Sequence, residues 1–334
     1  MSGRYTSREM KIKTLRVLAV ILAVAFLVSA ALFGISLWER YNGNFLGTDS
    51  DSLEDSIQFD GKEYVLKENL ETFLVLGLDK FDEENLESYN NDKQSDFLML
   101  LVIDNDSKSF SALHINRDTM VEIDVLGVAG DKIGTTKKQL ALAHTYGSGK
   151  EVSCRNVAKS VSRLLKNADV DHYASVTMDA VPIFNDLVGG VEVTVLDDFS
   201  GIDDTLKKGE KTVLMGEHAL SYVRTRYGLD DSTNNSRMKR QKQYMDALYD
   251  KTLQQIKADD SFIGNAFLKL NPYIVSDCSA NRLEALMKKL SEYKFDDMYD
   301  IEGKLTKGKK FMEFYPNEDS VEEITVKLFY ELKK

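Results

Sequence analysis

The chain has 334 residues, 43% hydrophobic and 29% charged, with a formal net charge of −11. That length is enough for one large core or two small ones, and three prolines with no low-complexity tract exclude a disordered chain. The acidity excludes nucleic acid as a bulk electrostatic partner, because a phosphate backbone demands a basic face.

Residues 17–38, VLAVILAVAFLVSAALFGISLW, carry no charge. At about 1.5 Å per residue they span a ~30 Å hydrocarbon core. Arg4, Arg8, Lys11, Lys13 and Arg16 precede the run against the single acid Glu9, and Asp49, Asp51, Glu54, Asp55 and Asp60 follow it. The positive-inside rule makes 1–16 a cytoplasmic tail and 17–38 a single-pass anchor in the cell membrane, with the C-terminal domain extracellular. A cleaved signal peptide is the alternative, with VSA at Val28–Ala30 as the cleavage sequence. The apolar run continues eight residues past Ala30, which favours the anchor. Polar, acidic residues 39–68 read as an extracellular linker, with one short strand candidate near 64–66.

The folded domain is expected over 69–334. TFLVLGLD at 72–79 reads as a buried strand, followed by an acid-rich loop over 80–94. SDFLMLLVID, a turn at 105–107 and a second strand ending at Asn116-Arg117-Asp118 come next. The spacing predicts helices over 140–146 and 151–165; in the second, Val157, Val161, Leu164 and Leu165 share a face. HYASVTM is a strand, 181–187 a helix stopped by Gly189-Gly190, and VEVTVL a strand. EHALSYVRTR fits a helix with Leu220 and Val223 inward. After a polar loop, Ser236 is the expected N-cap of a helix running to about residue 256. Two or three further helices and an extended piece near 309–315 complete the chain. Strands alternating with helices indicate an α/β sandwich. Cys154 and Cys278 carry no information on proximity, and His114, His144, His172 and His218 are scattered without zinc-site spacing.

The chemistry concentrates where the charge reverses. Arg224, Arg226, Arg237, Lys239 and Arg240 crowd into 17 residues of an acidic chain. Arg237 and Gln241, four apart, share one side of a helix start, where free N–H groups also favour an anion. The plain alternative is a helix start neutralised by Asp230 and Asp231. Arg224 and Arg226 end the preceding helix; one arginine there caps the dipole, whereas two form a fork for phosphate oxygens. Arg117, at a strand end, either joins the same anion or pairs with Asp118. Asp79 and Asp96 sit at strand boundaries, as turn caps or as oxygen ligands of Mg²⁺.

The order SDFLMLLVID, HINRDTMVEI, AHTYG, DLVGGVEVTV, LMGEHALSYVRTR, SRMKRQ resembles the LytR–CpsA–Psr family from about residue 70 to the C-terminus, and the N-terminal anchor fits it. The resemblance implies a three-layer α/β/α sandwich with a mixed central sheet and an apolar pocket for a lipid tail. It implies Mg²⁺-dependent transfer of a glycopolymer, such as teichoic acid or capsular polysaccharide, from a polyprenyl pyrophosphate carrier to peptidoglycan. Arg117, Arg224 and Arg226 take catalytic positions, Arg237, Gln241 and Arg240 bind the pyrophosphate, and Asp79 and Asp96 hold the metal. A metal-bound carboxylate is the best candidate for the general base. Four positions depart from the family pattern: Gln94 stands for an arginine, Gln139 for a lysine, Asn234 for an aspartate and Asn116 for a proline. These departures keep two alternatives open, a non-catalytic polyprenyl-pyrophosphate-binding regulator and an extracytoplasmic pyrophosphatase.

Overall fold

A computed structural model describes residues 52–79, 94–127, 130–146 and 150–333. The expected tail and anchor over 1–38, and nearly all of the acid-rich loop after Asp79, lie outside them. No helix among the described residues is long and apolar enough to cross a membrane.

In chain order the elements begin with strands β1 (Ser56–Phe59), β2 (Lys62–Leu66), β3 (Leu70–Leu78), β4 (Ser95–Asp104), β5 (Ser109–His114), β6 (Met120–Leu126) and β7 (Lys132–Gln139). A 3₁₀ segment, Leu140–Thr145, leads to α1 (Lys150–Leu164), β8 (His172–Thr177), α2 (Ala180–Leu187), β9 (Val191–Thr194), β10 (Lys211–Leu214), α3 (Glu217–Arg224) and α4 (Asn234–Ala258). Then follow α5 (Phe262–Leu270), β11 (Ile274–Ser276), α6 (Ala280–Glu292), β12 (Lys294–Asp300), β13 (Gly303–Lys307), β14 (Met312–Pro316), α7 (Glu318–Phe329) and β15 (Tyr330–Leu332).

Six strands form a mixed central sheet in the order β11-β8-β3-β4-β5-β12. β3 is parallel to β8 and β5 to β12, while β4 runs antiparallel to both β3 and β5. The near-continuous apolar runs of β3 and β4 follow from cover on both faces. Leu74, Leu76, Leu98, Leu100 and Leu113 pack with Val157 and Val161 of α1 and Val321, Ile324 and Leu328 of α7. On the opposite face Phe73, Ile103, Phe110 and Ala174 meet Leu286 of α6, and Met99 and Ala112 lie beside Met245 of α4. Period-2 alternation thus sends successive side chains to two helical covers.

A further core of Val191, Val193, Phe199, Leu214, Tyr222 and Leu248 seats α3 and α4. The Gly189-Gly190 stop works as expected. Both glycines have φ of +84°, and a Cβ on Gly190 would collide with Met215 and Val213.

Three expectations change. Part of the expected linker is structured: the compact unit begins at Leu53, β1 pairs with β2, and β2 pairs with the C-terminal β15. That pairing spans the whole domain in sequence, so no local pattern announces it. The cap of α4 is Thr233, whose Oγ1 accepts from the Ser236 amide at 3.4 Å, rather than Ser236 itself. The segment at 140–146 is a 3₁₀ helix rather than an α-helix.

Candidate active site at the sheet end

Because β4 is antiparallel to β3 and β5, the carboxyl ends of those two strands and the start of β4 share one edge of the sheet. Asp79 follows β3, Gln94 and Asp96 open β4, and Asn116, Arg117 and Asp118 follow β5. Ligands of α/β sheets favour this edge. The end of α3 and the start of α4 bring Arg224, Arg226 and Arg237 to it.

Asp96 stands between two arginines. Arg117 pairs through Nη1 with Asp96 Oδ1 and donates from Nη2 to Gln94 Oε1; its Nε lies 3.6 Å from Asp118 Oδ1. Arg237 donates from Nη2 to the Asp96 carbonyl at 3.3 Å, with Nη1 3.9 Å from Oδ2. Arg224 grips both oxygens of Asp79, at 2.6 and 2.9 Å. Arg226 stacks 4.6 Å over the ring of the exposed Tyr227 and donates to its hydroxyl.

Positive charge is in excess here. Burial, and then the neighbouring Arg237, push Arg117 down to about 10; burial, and then Arg226, do the same to Arg237. Both guanidinium groups stay protonated at neutral pH, so the depression records cations desolvated beside one another. Burial holds the Asp118 carboxyl above the usual range against the pull of Arg117, Arg226 and Arg237. Its Oδ2 is buried without a hydrogen-bond partner. A multiply charged anion with several oxygens, accepting from planar guanidinium groups, would relieve this repulsion.

The four departures from the family pattern all hydrogen-bond into this site. Asn234 Oδ1 accepts from Arg237 Nε at 3.1 Å and Nη2 at 2.6 Å, and its Nδ2 donates to Asn116 Oδ1 at 2.8 Å. Asn116 Oδ1 also accepts from the Asp118 amide, and its Nδ2 donates to Asn235 Oδ1. These amides fasten the first turn of α4 to the turn that carries Arg117. Gln139 Nε2 donates to Asp118 Oδ1 at 3.0 Å and to the Met312 carbonyl at 2.7 Å. The residue pairs could not be read from the sequence, although the coincidence of amides at all four positions was visible.

Two expected ligands are engaged by groups of the protein itself, and Gln241 also hydrogen-bonds His114 beside the arginines. Arg240 is fully buried; it donates to the carbonyls of Tyr222 (2.5 Å) and Thr225, and its Nε lies 2.9 Å from Asp197 Oδ2. Phe199 and Tyr222 flank its guanidinium at 5.3 and 5.8 Å. Gln241 Nε2 donates to the Val223 carbonyl at 3.1 Å. Both residues clamp α4 beneath α3, which fixes Arg224 and Arg226 from below. His114, at the end of β5, was not expected in this neighbourhood. Burial, then Arg237 and Lys242, push its imidazole down to about 4.

Asp79, Asp96 and Gln94 offer oxygen donors of the kind that a hard divalent cation takes, and the orphaned Asp118 Oδ2 adds a buried carboxylate oxygen. In kind the set fits Mg²⁺, with Arg224 and Arg117 now occupying the carboxylates.

A mixed central sheet with a cluster of buried arginines at one end defines the domain as a mixed α/β fold. The LytR_cpsA_psr family model matches residues 45–329, and the chain belongs to that family, as its motif order implied. It is 28% identical over 246 residues to the polyisoprenyl-teichoic acid–peptidoglycan teichoic acid transferase TagV of Bacillus subtilis, covering 72% of this chain and 58% of that protein. It is 26% identical to Biofilm regulatory protein A of Streptococcus mutans, covering 72% and 57%. The chain therefore spans little more than half the length of these two relatives. Among solved structures, TagT bound to LI-WTA superposes with a TM-score of 0.59 at 21% identity, covering 83% of this chain and 94% of that one, which establishes a shared fold.

Proposed function

We propose that the protein is a membrane-anchored phosphotransferase that moves a glycopolymer from a polyprenyl pyrophosphate carrier to peptidoglycan outside the cell. The observation that supports this reading is the under-neutralised cluster of Arg117, Arg226 and Arg237, whose mutual repulsion a multiply charged anion such as a diphosphate would relieve. Family membership and the activity in TagV's name supply the substrate class. The uncharged run 17–38 supplies the anchor, which would keep enzyme and lipid carrier on one surface.

In this mechanism a peptidoglycan hydroxyl oxygen attacks the phosphorus next to the polymer. The bond to the bridging oxygen breaks, and polyprenyl phosphate leaves. Arg117 and Arg237 hold non-bridging oxygens as charge shifts towards the leaving group, and Arg224 and Arg226 add positive charge beside them. The hydroxyl proton passes to Asp79 or Asp96, the carboxylates placed at the basin. Mg²⁺ on Asp79 and Asp96 would supply further charge neutralisation.

The test incubates the full-length chain with a polyprenyl-pyrophosphate-linked glycopolymer and peptidoglycan, with Mg²⁺ or with a chelator. Metal-dependent appearance of polymer on peptidoglycan supports the reading. Release of polyprenyl phosphate and of free phosphorylated polymer, with water as the acceptor and nothing transferred to peptidoglycan, identifies a pyrophosphatase instead. Tight binding without turnover identifies a regulator.

A further inference from the structure

We infer that His172, Asp277 and Cys278 form a second site, one that takes a single divalent transition-metal ion of the zinc type. The site lies at the amino end of β8, the opposite end of the sheet from the arginine basin, since β8 is parallel to β3. It is independent of the transferase reading.

The three side chains bring an imidazole nitrogen, a carboxylate oxygen and a thiol sulfur within 4.8 Å of one another. Zinc bonds of about 2.0–2.3 Å put tetrahedral donors roughly 3.3–3.8 Å apart, so a contraction of about 1 Å closes the set. His172 Nδ1 and Asp277 Oδ2 are already 3.1 Å apart. The backbone around them is fixed without a metal. Asp277 Oδ1 accepts from the Tyr173 amide at 3.1 Å, and the Cys278 amide donates to Ser276 Oγ at 3.1 Å. Ser276 Oγ in turn donates to the Tyr173 carbonyl at 2.5 Å, across the pairing of β11 with β8. Such support orients ligands before an ion arrives.

The donor types select the ion. A thiolate and an imidazole favour zinc or cobalt over Mg²⁺ or Ca²⁺, and the partial exposure of all three residues leaves a path and a fourth position for water. Arg282, whose charge is felt at Cys278, is itself paired with Glu71 at 3.2 Å. The thiolate is the ligand form, so a bound ion must displace the thiol proton. The bound ion would clip the start of β8 to the connection between β11 and α6. Sequence spacing hid this trio, because its histidine and cysteine come from distant strands.

Titration of the full-length chain with Co²⁺ tests the site through the thiolate-to-cobalt charge-transfer absorption. One equivalent should develop the band, with release of about one proton. Cys278→Ser and His172→Gln should abolish it. Asp277→Asn keeps an acceptor for the Tyr173 amide and should weaken affinity at least about tenfold. Cys154→Ser is the control, because Cys154 has its own histidine, His144, at 3.6 Å. Circular dichroism confirms folding of each variant, and Zn²⁺ should raise the melting temperature of the wild type but not of Cys278→Ser. Absence of a thiolate band overturns the site, as does a band that survives Cys278→Ser or disappears with Cys154→Ser.

Discussion

Arg237 and Arg240 leave the same helix three residues apart, and both are buried. Arg240 is enclosed by two carbonyls, the Asp197 carboxylate and two aromatic rings. Arg237 shares one carboxylate with Arg117 and faces Arg226. Burial alone therefore does not mark a binding arginine. What separates the two is whether the charge is matched by groups the protein already holds.

Exchanging these two residues should give opposite phenotypes. Arg237→Ala is expected to cut transfer by at least about two to three orders of magnitude, the cost of losing one oxyanion donor. Its loss of stability should be clearly smaller than that of Arg240→Ala, because the unpaired acceptor left at Asn234 is offset by removing a repelling neighbour of Arg117. Arg240→Ala leaves Asp197 buried opposite a void and should cost about 3–5 kcal/mol in urea unfolding. Equal loss of stability in both variants would erase the distinction.

His114 reports the field of the basin. It is buried, and its imidazole is pushed down to about 4 from an ordinary 6.5 by burial, Arg237 and Lys242, with Asp300 Oδ1 3.9 Å from its Nδ1. The folded ring stays neutral while the unfolded ring takes a proton. Stability should therefore fall as pH drops from about 6.5 to about 4, by up to about 3 kcal/mol. His114→Phe should flatten that limb in denaturation curves taken across the range. In wild type the imidazole titration seen by NMR should move up with Arg237→Ala and stay put with Arg240→Ala.

The smallest effect belongs to the amides. Asn234→Ala removes the acceptor that aims Arg237 and should reduce transfer by roughly tenfold. Asn234→Asp should restore it. An unchanged rate in Asn234→Ala would show that Arg237 is aimed by Asp96 alone.

Much of this was legible in the sequence. The apolar runs of β3 and β4, the Gly189-Gly190 stop and the clustering of Arg224, Arg226 and Arg237 are local patterns, and local patterns survive folding. Two kinds of feature were not legible. Residues on one helix turn look alike by spacing, so Arg240 and Gln241 read as ligands until the carbonyls of α3 were seen to occupy them. Long-range pairings were equally hidden. Asn116 with Asn234 and β2 with β15 each join residues that no sequence window contains together.

Equilibrium binding of a short-chain polyprenyl pyrophosphate to the full-length protein tests the basin most directly. The wild type should bind, with affinity falling as salt rises; Arg237→Ala should lose at least about tenfold, and Gln241→Ala should bind nearly as well as wild type. Binding that is indifferent to Arg237, or no binding by a folded wild type, would contradict the assignment of this arginine basin to a diphosphate.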